Sequence, residues 1–408
     1  MTQLTDAYWL QTPAIQRVFE AVEQDGDRAM AVGGAIRNTL LGVPVADVDI
    51  ATTALPEQVA ARARDKGLKV VPTGIDHGTV TVISAGMAYE VTTLRQDVET
   101  FGRQAKVVFG TNWIDDARRR DFTLNALYVD RHGKIYDPLG GFEDCIARRV
   151  RFIGDPRERI REDYLRILRF FRIHAAYGLG APDPAGLSAC IRERDGLRHL
   201  SAERIGVEMK KLVRAPLAAG CLALMEDSGL LEITTGGISR IADFRALRSL
   251  DDVADETRRP ELGFAVLSGF VDEDLDRIAD RFRLSNAERK RMHGALAAAT
   301  AISAGGDDPQ VYRLLYRHGR ESFIDGLLAV WAQARAGGAS EHREPVFSRT
   351  LKQGRDLEIP VFPLKGADLM AAGLPAGPKI GETLKQLEED WLDSRFSLSR
   401  TELLERVQ

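Results

Sequence analysis

The chain is poor in cysteine, in long apolar runs and in surplus positive charge, and each shortage removes a class of protein. Three cysteines stand among 408 residues. Cys145, Cys190 and Cys221 show no paired spacing and no companion histidine cluster, which excludes a disulfide framework and a zinc site and leads us to expect a reducing compartment. No apolar stretch is long enough to cross a bilayer. Met1 to Phe19 has neither a basic start nor an apolar run, so no leader is expected and the location expected is cytoplasmic. The formal net charge is −4, which excludes a broad basic coat. Charge distribution matters more than the total: nine arginines between Arg148 and Arg172 face four acids, a local excess of five. No internal repeat or low-complexity tract is found.

What is present begins at Val32-Gly33-Gly34-Ala35-Ile36-Arg37. A glycine pair entering a helix lets backbone N–H groups approach a phosphate, and an arginine on the first turn adds a fork of donors. After a turn at Gly42-Val43-Pro44, the segment Val45 to Thr52 reads as a short strand. Asp47 and Asp49, two apart on a strand, leave its same face. A hairpin follows, with Thr79 to Ile83 alternating, a turn at Ser84-Ala85-Gly86, and a return over Tyr89 to Leu94. Tyr89, Val91 and Thr93 share one face of the return strand, so Glu90 and Thr92 share the other. Glu90 is therefore the candidate third carboxylate of a metal site.

The helix read from about Arg161 to Ala176 carries Asp163, Arg166, Arg169 and Arg172 at every third position, a slowly turning stripe. Cytosine and adenine each present an exocyclic amine beside a ring-nitrogen acceptor. A carboxylate at Asp163 and a guanidinium at Arg166 suit both, and leave guanine and uracil with unpaired polar groups.

Six ordered segments resemble one family. They are Gly33 to Arg37, Asp47-Val48-Asp49, Glu90 to Arg95, Arg119 to Leu127, Asp137 to Gly141 and Glu162 to Arg172, and together they resemble the class II CCA-adding enzymes and bacterial poly(A) polymerases of the DNA polymerase beta superfamily. One departure is Asn38, where the family often has aspartate. The resemblance implies that Arg120 contacts the nucleotide phosphates, that Asp121 and Asn125 shape the sugar pocket, and that Arg169 and Arg172 continue toward the triphosphate. It also implies that Arg95 to Asp116 is a flexible loop used in switching from C to A addition. No His-Asp dipeptide occurs, so the phosphohydrolase module that some relatives append is expected to be missing.

These readings predict an α+β protein: a nucleotidyltransferase head over 1–143 with a small mixed sheet, a helical neck over 144–205 that recognises the base, a helical body over 206–336, and a helical, tRNA-binding tail over 337–408. Gly337-Gly338-Ala339-Ser340 is the expected linker before the tail. The expected reaction is addition of C, C and A to tRNA from CTP and ATP with two Mg²⁺ ions, held by Asp47 and Asp49 with Glu90 in support. Poly(A) addition and noncatalytic nucleotide or RNA binding are the alternatives. No membrane and no obligate protein partner are inferred.

Overall fold

The computed structural model describes residues 3–4, 7–71, 74, 78–101, 104–304, 310–338 and 342–407, with the side chains of 96–101 and 104–108 outside that description. It divides into two compact units, residues 1–234 and 235–408. The architecture is α+β, as expected.

Among the described residues the first unit has nine strands: β1 (Ala29–Val32), β2 (Asp49–Thr52), β3 (Lys69–Val71), β4 (Thr79–Ser84), β5 (Met87–Thr93), β6 (Arg95–Phe101), β7 (Gln104–Phe109), β8 (Tyr128–Val129) and β9 (Ile135–Tyr136). Seven of them make one mixed sheet in the order β3-β4-β5-β2-β1-β8-β9, in which β2 and β5 run parallel. The β4–β5 hairpin has the expected alternation, with Tyr89, Val91 and Thr93 buried and Glu90 exposed. Helices α1 (Pro13–Val22), α2 (Gly34–Leu40), α3 (Pro56–Asp65), α4 (Trp113–Arg118) and α5 (Gly141–Ile146) accompany the sheet. Ile15, Val18, Phe19 and Val22 of α1 are fully buried, the i, i+3, i+4, i+7 stripe of a helix lying on a core.

Arg95 to Asp116 holds more structure than a loop. Strands β6 and β7 pair antiparallel only with each other among the described residues. Gly102 and Arg103 at their turn lie outside the described residues.

Helices α6 (Pro156–Glu162), α7 (Leu165–Tyr177), α8 (Pro184–Arg192), α9 (Ala202–Val213), α10 (Ala218–Asp227) and α11 (Leu230–Thr235) complete this part of the chain. The second unit is helical, built around α12 (Val311–Ala336), whose buried Phe323, Leu327, Leu328 and Trp331 join a core with Leu247, Leu262, Val266 and Phe347. Ala339 and Ser340 of the expected linker lie outside the described residues. No helix among the described residues is long and apolar enough to cross a membrane.

Candidate active site

The turn that leaves β1 is made by Gly33, at φ 75°, where a side chain would be strained. A Cβ there would lie 3.4 Å from the Asn125 carbonyl and 3.7 Å from Arg120 Nη1, and one on Gly34 would lie 3.6 Å from Arg37 Nη2. The glycine pair thus sits between two guanidinium groups.

The carboxylates lie beside this turn, with one correction to the expected strand. Strand β2 begins at Asp49, not Val45, because β1 pairs Val32 with Asp49 and then turns away at Gly33. Residues before Asp49 have no ladder partner there, and the chain is tied to α2 instead: Asn38 Nδ2 donates to the Pro44 carbonyl (2.9 Å) and Val43 N to the Asn38 carbonyl (2.8 Å). Asp47 is therefore on an irregular segment, exposed, two residues before the strand. Glu90 is register-adjacent to Asp49 on the parallel strand β5. The Asp49 carboxyl holds its proton above the usual range, because partial loss of water at the cleft floor raises it, Glu90 and Asp47 add to the rise, and Arg120 only partly opposes it. Among the described residues no three acidic, histidine or cysteine side chains converge into a ready-made metal cage.

A cleft of roughly 420 Å³ is lined by Gly33, Gly34, Arg37, Asp49, Arg120, Asp121, Asn125, Asp163, Arg166, Arg169 and Arg172 of the expected set, joined by Arg119 and Arg204, whereas Asp47 and Glu90 are not among its lining residues. Asp116, within α4 and 1 % exposed, organises one wall. It accepts from Arg119 Nε (2.8 Å), Arg120 Nη2 (3.1 Å) and the Tyr128 hydroxyl (2.7 Å). Burial alone would raise its pKa; Arg120 and Arg119 override that and hold it below the usual range. Arg159 Nη2 donates to the carbonyls of Arg119 and Arg120 (2.6 Å each), so the basic run is fixed through its backbone as well. A second chain of bonds crosses the cleft. Arg37 Nη1 donates to Asn125 Oδ1 (2.6 Å), Asn125 Nδ2 to Asp121 Oδ1 (3.1 Å), and Arg169 Nε to Asp121 Oδ2 (2.7 Å). Glu208 of α9 then pairs with Arg172 and, at 3.8 Å, with Arg169.

The continuous helix expected from Arg161 to Ala176 is two helices. Helix α6 ends at Glu162, Asp163 is extended (φ −156°, ψ 105°), and α7 begins at Leu165. The cause is local: Asp163 Oδ1 accepts from Leu165 N (3.1 Å) and the Asp163 carbonyl from Arg166 N (3.0 Å), so Asp163 turns the chain into the second helix instead of extending the first. Nor do Asp163 and Arg166 pair with each other. Asp163 Oδ2 accepts from Arg204 Nη2 (2.6 Å), while Arg166 Nη1 donates to Glu162 and to the Arg159 carbonyl (2.6 Å).

Asp116, Arg159, Arg204 and Glu208 escaped sequence reasoning as site residues. The i,i+3 and i,i+4 spacing from Asp116 to Arg119 and Arg120 was a readable signal; nothing local points from α9 back to the cleft.

Residues 29–151 match the poly(A) polymerase head domain, and residues 182–235 match the family described as "Probable RNA and SrmB- binding site of polymerase A". Over 98% of its length the chain is 31% identical to CCA tRNA nucleotidyltransferase 1, mitochondrial, of Homo sapiens, of which the match covers 92%. The chain belongs to the class II CCA-adding enzyme and poly(A) polymerase family. Another member of that family, CCA tRNA nucleotidyltransferase 1, mitochondrial, of Danio rerio, is 32% identical over 91% of this chain and 85% of its own. Among solved structures of the family, the Bacillus stearothermophilus CCA-adding enzyme in complex with CTP superposes with a TM-score of 0.74 at 28% identity, covering 97% of both chains. Nucleotidyltransferases of this polymerase-beta type typically use a divalent metal.

Proposed function

We infer that this chain is a CCA tRNA nucleotidyltransferase, adding C, C and A to the tRNA 3′ end from CTP and ATP and releasing pyrophosphate. The observation that carries this reading is the near full-length match to a CCA tRNA nucleotidyltransferase. The cleft supports it, because Asp49, with Glu90 adjacent in register, shares its lining with seven arginines.

Asp47 and Asp49, with Glu90 in support, are the residues that would hold two Mg²⁺ ions. The donor set fits: it is all oxygen, it is crowded with like charge, and magnesium takes one or two carboxylates and leaves the remaining positions to phosphate and water. When bound, magnesium lowers the pKa of the attacking RNA hydroxyl and neutralises charge on the triphosphate. Arg37 and Arg120 bind the phosphates beside the Gly33-Gly34 turn, Arg169 and Arg172 extend that positive wall, and Asp121 with Asn125 borders the sugar. Asp163 accepts from the exocyclic amine of C or A, and Arg166, whose described bonds all use Nη1, keeps Nε and Nη2 to donate to the ring. No covalent enzyme intermediate is needed.

The head, neck, body and tail division at 143, 205 and 336 stands as our proposal, with the tail bearing on tRNA. A cytoplasmic location accords with three buried, unpaired thiols. The test of the activity is incubation with tRNA lacking its 3′ end, Mg²⁺ and single nucleotides. Two CMP additions followed by one AMP are expected. Long AMP tails with no use of CTP would establish a poly(A) polymerase instead, and no incorporation at all would leave a binding protein.

A further inference from the structure

Every arginine on the cleft wall except Arg37 is ion-paired to a carboxylate: Arg119 and Arg120 to Asp116, Arg166 to Glu162, Arg169 to Asp121, Arg172 to Glu208 and Arg204 to Asp163. The described partners of Arg37 are neutral. Its Nε and Nη2 donate to Asn38 Oδ1 (3.2 and 2.9 Å), its Nη1 to Asn125 Oδ1 (2.6 Å), and its guanidinium carbon lies 3.7 Å from the Tyr177 ring centre. The group is 7% exposed. It is therefore locked on three sides, and no carboxylate among the described residues pairs with it.

Asn38 is what makes this possible. Arginine offers no acceptor and a carbonyl offers no donor. The amide must therefore present Oδ1 to Arg37 and Nδ2 to the Pro44 carbonyl, as it does. A carboxylate at the same place would neutralise Arg37 and set an oxygen against the Pro44 oxygen.

We propose that the neutral side chain of Asn38 leaves Arg37 as the cleft cation that no carboxylate among the described residues pairs with, available to the diphosphate part of the nucleotide and to the departing pyrophosphate. The six other arginines meet the nucleotide with a carboxylate already beside them; Arg37 meets it with neutral partners, and its attraction for a polyanion is strongest in a partly desolvated cleft. The proposal rests on the nucleotidyl-transfer reading above, since that reading makes pyrophosphate the leaving group.

The test titrates inorganic pyrophosphate calorimetrically onto the full chain with Mg²⁺, at low and high salt, for the parent, Asn38→Asp and Asn38→Ala, with melting temperatures measured alongside. Asn38→Asp is expected to bind about tenfold more weakly, about 1.4 kcal/mol, and with a shallower salt dependence, while Asn38→Ala loses no more than about threefold. Pyrophosphate binding by Asn38→Asp equal to the parent, or an equal loss in both variants, would overturn the proposal and reduce Asn38 to a tie for the segment before Asp47. If Asn38→Asp melts out, Arg37→Gln takes its place, and an unchanged pyrophosphate affinity there overturns the proposal equally. CMP addition by the parent is scored separately. A parent that binds pyrophosphate yet adds no CMP refutes the assigned reaction, whereas normal CMP addition with an insensitive Asn38→Asp refutes only the role of Asn38.

Discussion

Asp163→Asn is the substitution that most sharply tests base selection, because it changes hydrogen-bonding sense with almost no change in shape. In the native site one carboxylate oxygen accepts from Leu165 N (3.1 Å) and the other from Arg204 Nη2 (2.6 Å). Both partners are donors, so an amide in this place meets a donor with its NH₂ whichever way it is flipped. The Asp163 and Arg204 side chains are 31% and 30% exposed, so losing their ion pair costs about 1 kcal/mol or less of stability. A mispaired buried group at the base costs about 1–3 kcal/mol, which is about five- to 150-fold in kcat/KM. The variant is therefore expected to melt within a few degrees of the parent while CTP and ATP use falls by that factor, and UTP and GTP gain relative to them. Single-turnover incorporation with each of the four triphosphates, on tRNA ending at the discriminator base and on tRNA ending in CC, reads the effect. Retention of CTP and ATP use within about threefold, with the four-way preference unchanged, would refute base reading by Asp163. The seemingly stronger test, exchanging Asp163 with Arg166, is poorer: it sets an arginine against Arg204 and an aspartate against Glu162.

Three further outcomes follow from other parts of the molecule. Asp47→Ala and Asp49→Ala should each abolish incorporation with unchanged melting; because the Asp49 carboxyl is held above its usual range and must be ionised to bind a cation, Mg²⁺ affinity measured by titration should weaken on acidification at a higher pH than an ordinary aspartate would show, and Glu90→Gln should move that loss to lower pH. Deleting residues within 97–108, while keeping α4 and Asp116 as the anchor of Arg119 and Arg120, should leave CC addition visible on a sequencing gel and stall before A; equal loss of both nucleotides would make the β6–β7 ribbon purely structural. In the second unit, Asp325 is fully buried beside Arg291 (2.8 Å) and burial raises its pKa to about 6. A raised acid favours the folded state below its unfolded value, about 3.9, and that contribution is lost as pH rises through 6, so the melting temperature of the parent minus that of Asp325→Asn should increase from pH 7.5 to pH 5; a flat difference would contradict the raised value.

The residues themselves determined the chemistry and much of the local architecture. Alternation over Thr79 to Leu94 set which face Glu90 would take, because side chains in a strand alternate with period two wherever one face is buried. Gly33 determined its turn because no other residue takes a positive φ so cheaply. Only the tertiary structure decided that β2 starts at Asp49, since a strand ends where its partner turns away. Only it decided that Asp163 breaks the helix and turns to Arg204, and that Glu208, from a helix about forty residues later, holds Arg172 and Arg169. Charged side chains carry no address in sequence. With seven arginines around one cleft, which carboxylate neutralises which, and that Arg37 alone of the seven has only neutral partners among the described residues, is settled by distance after folding.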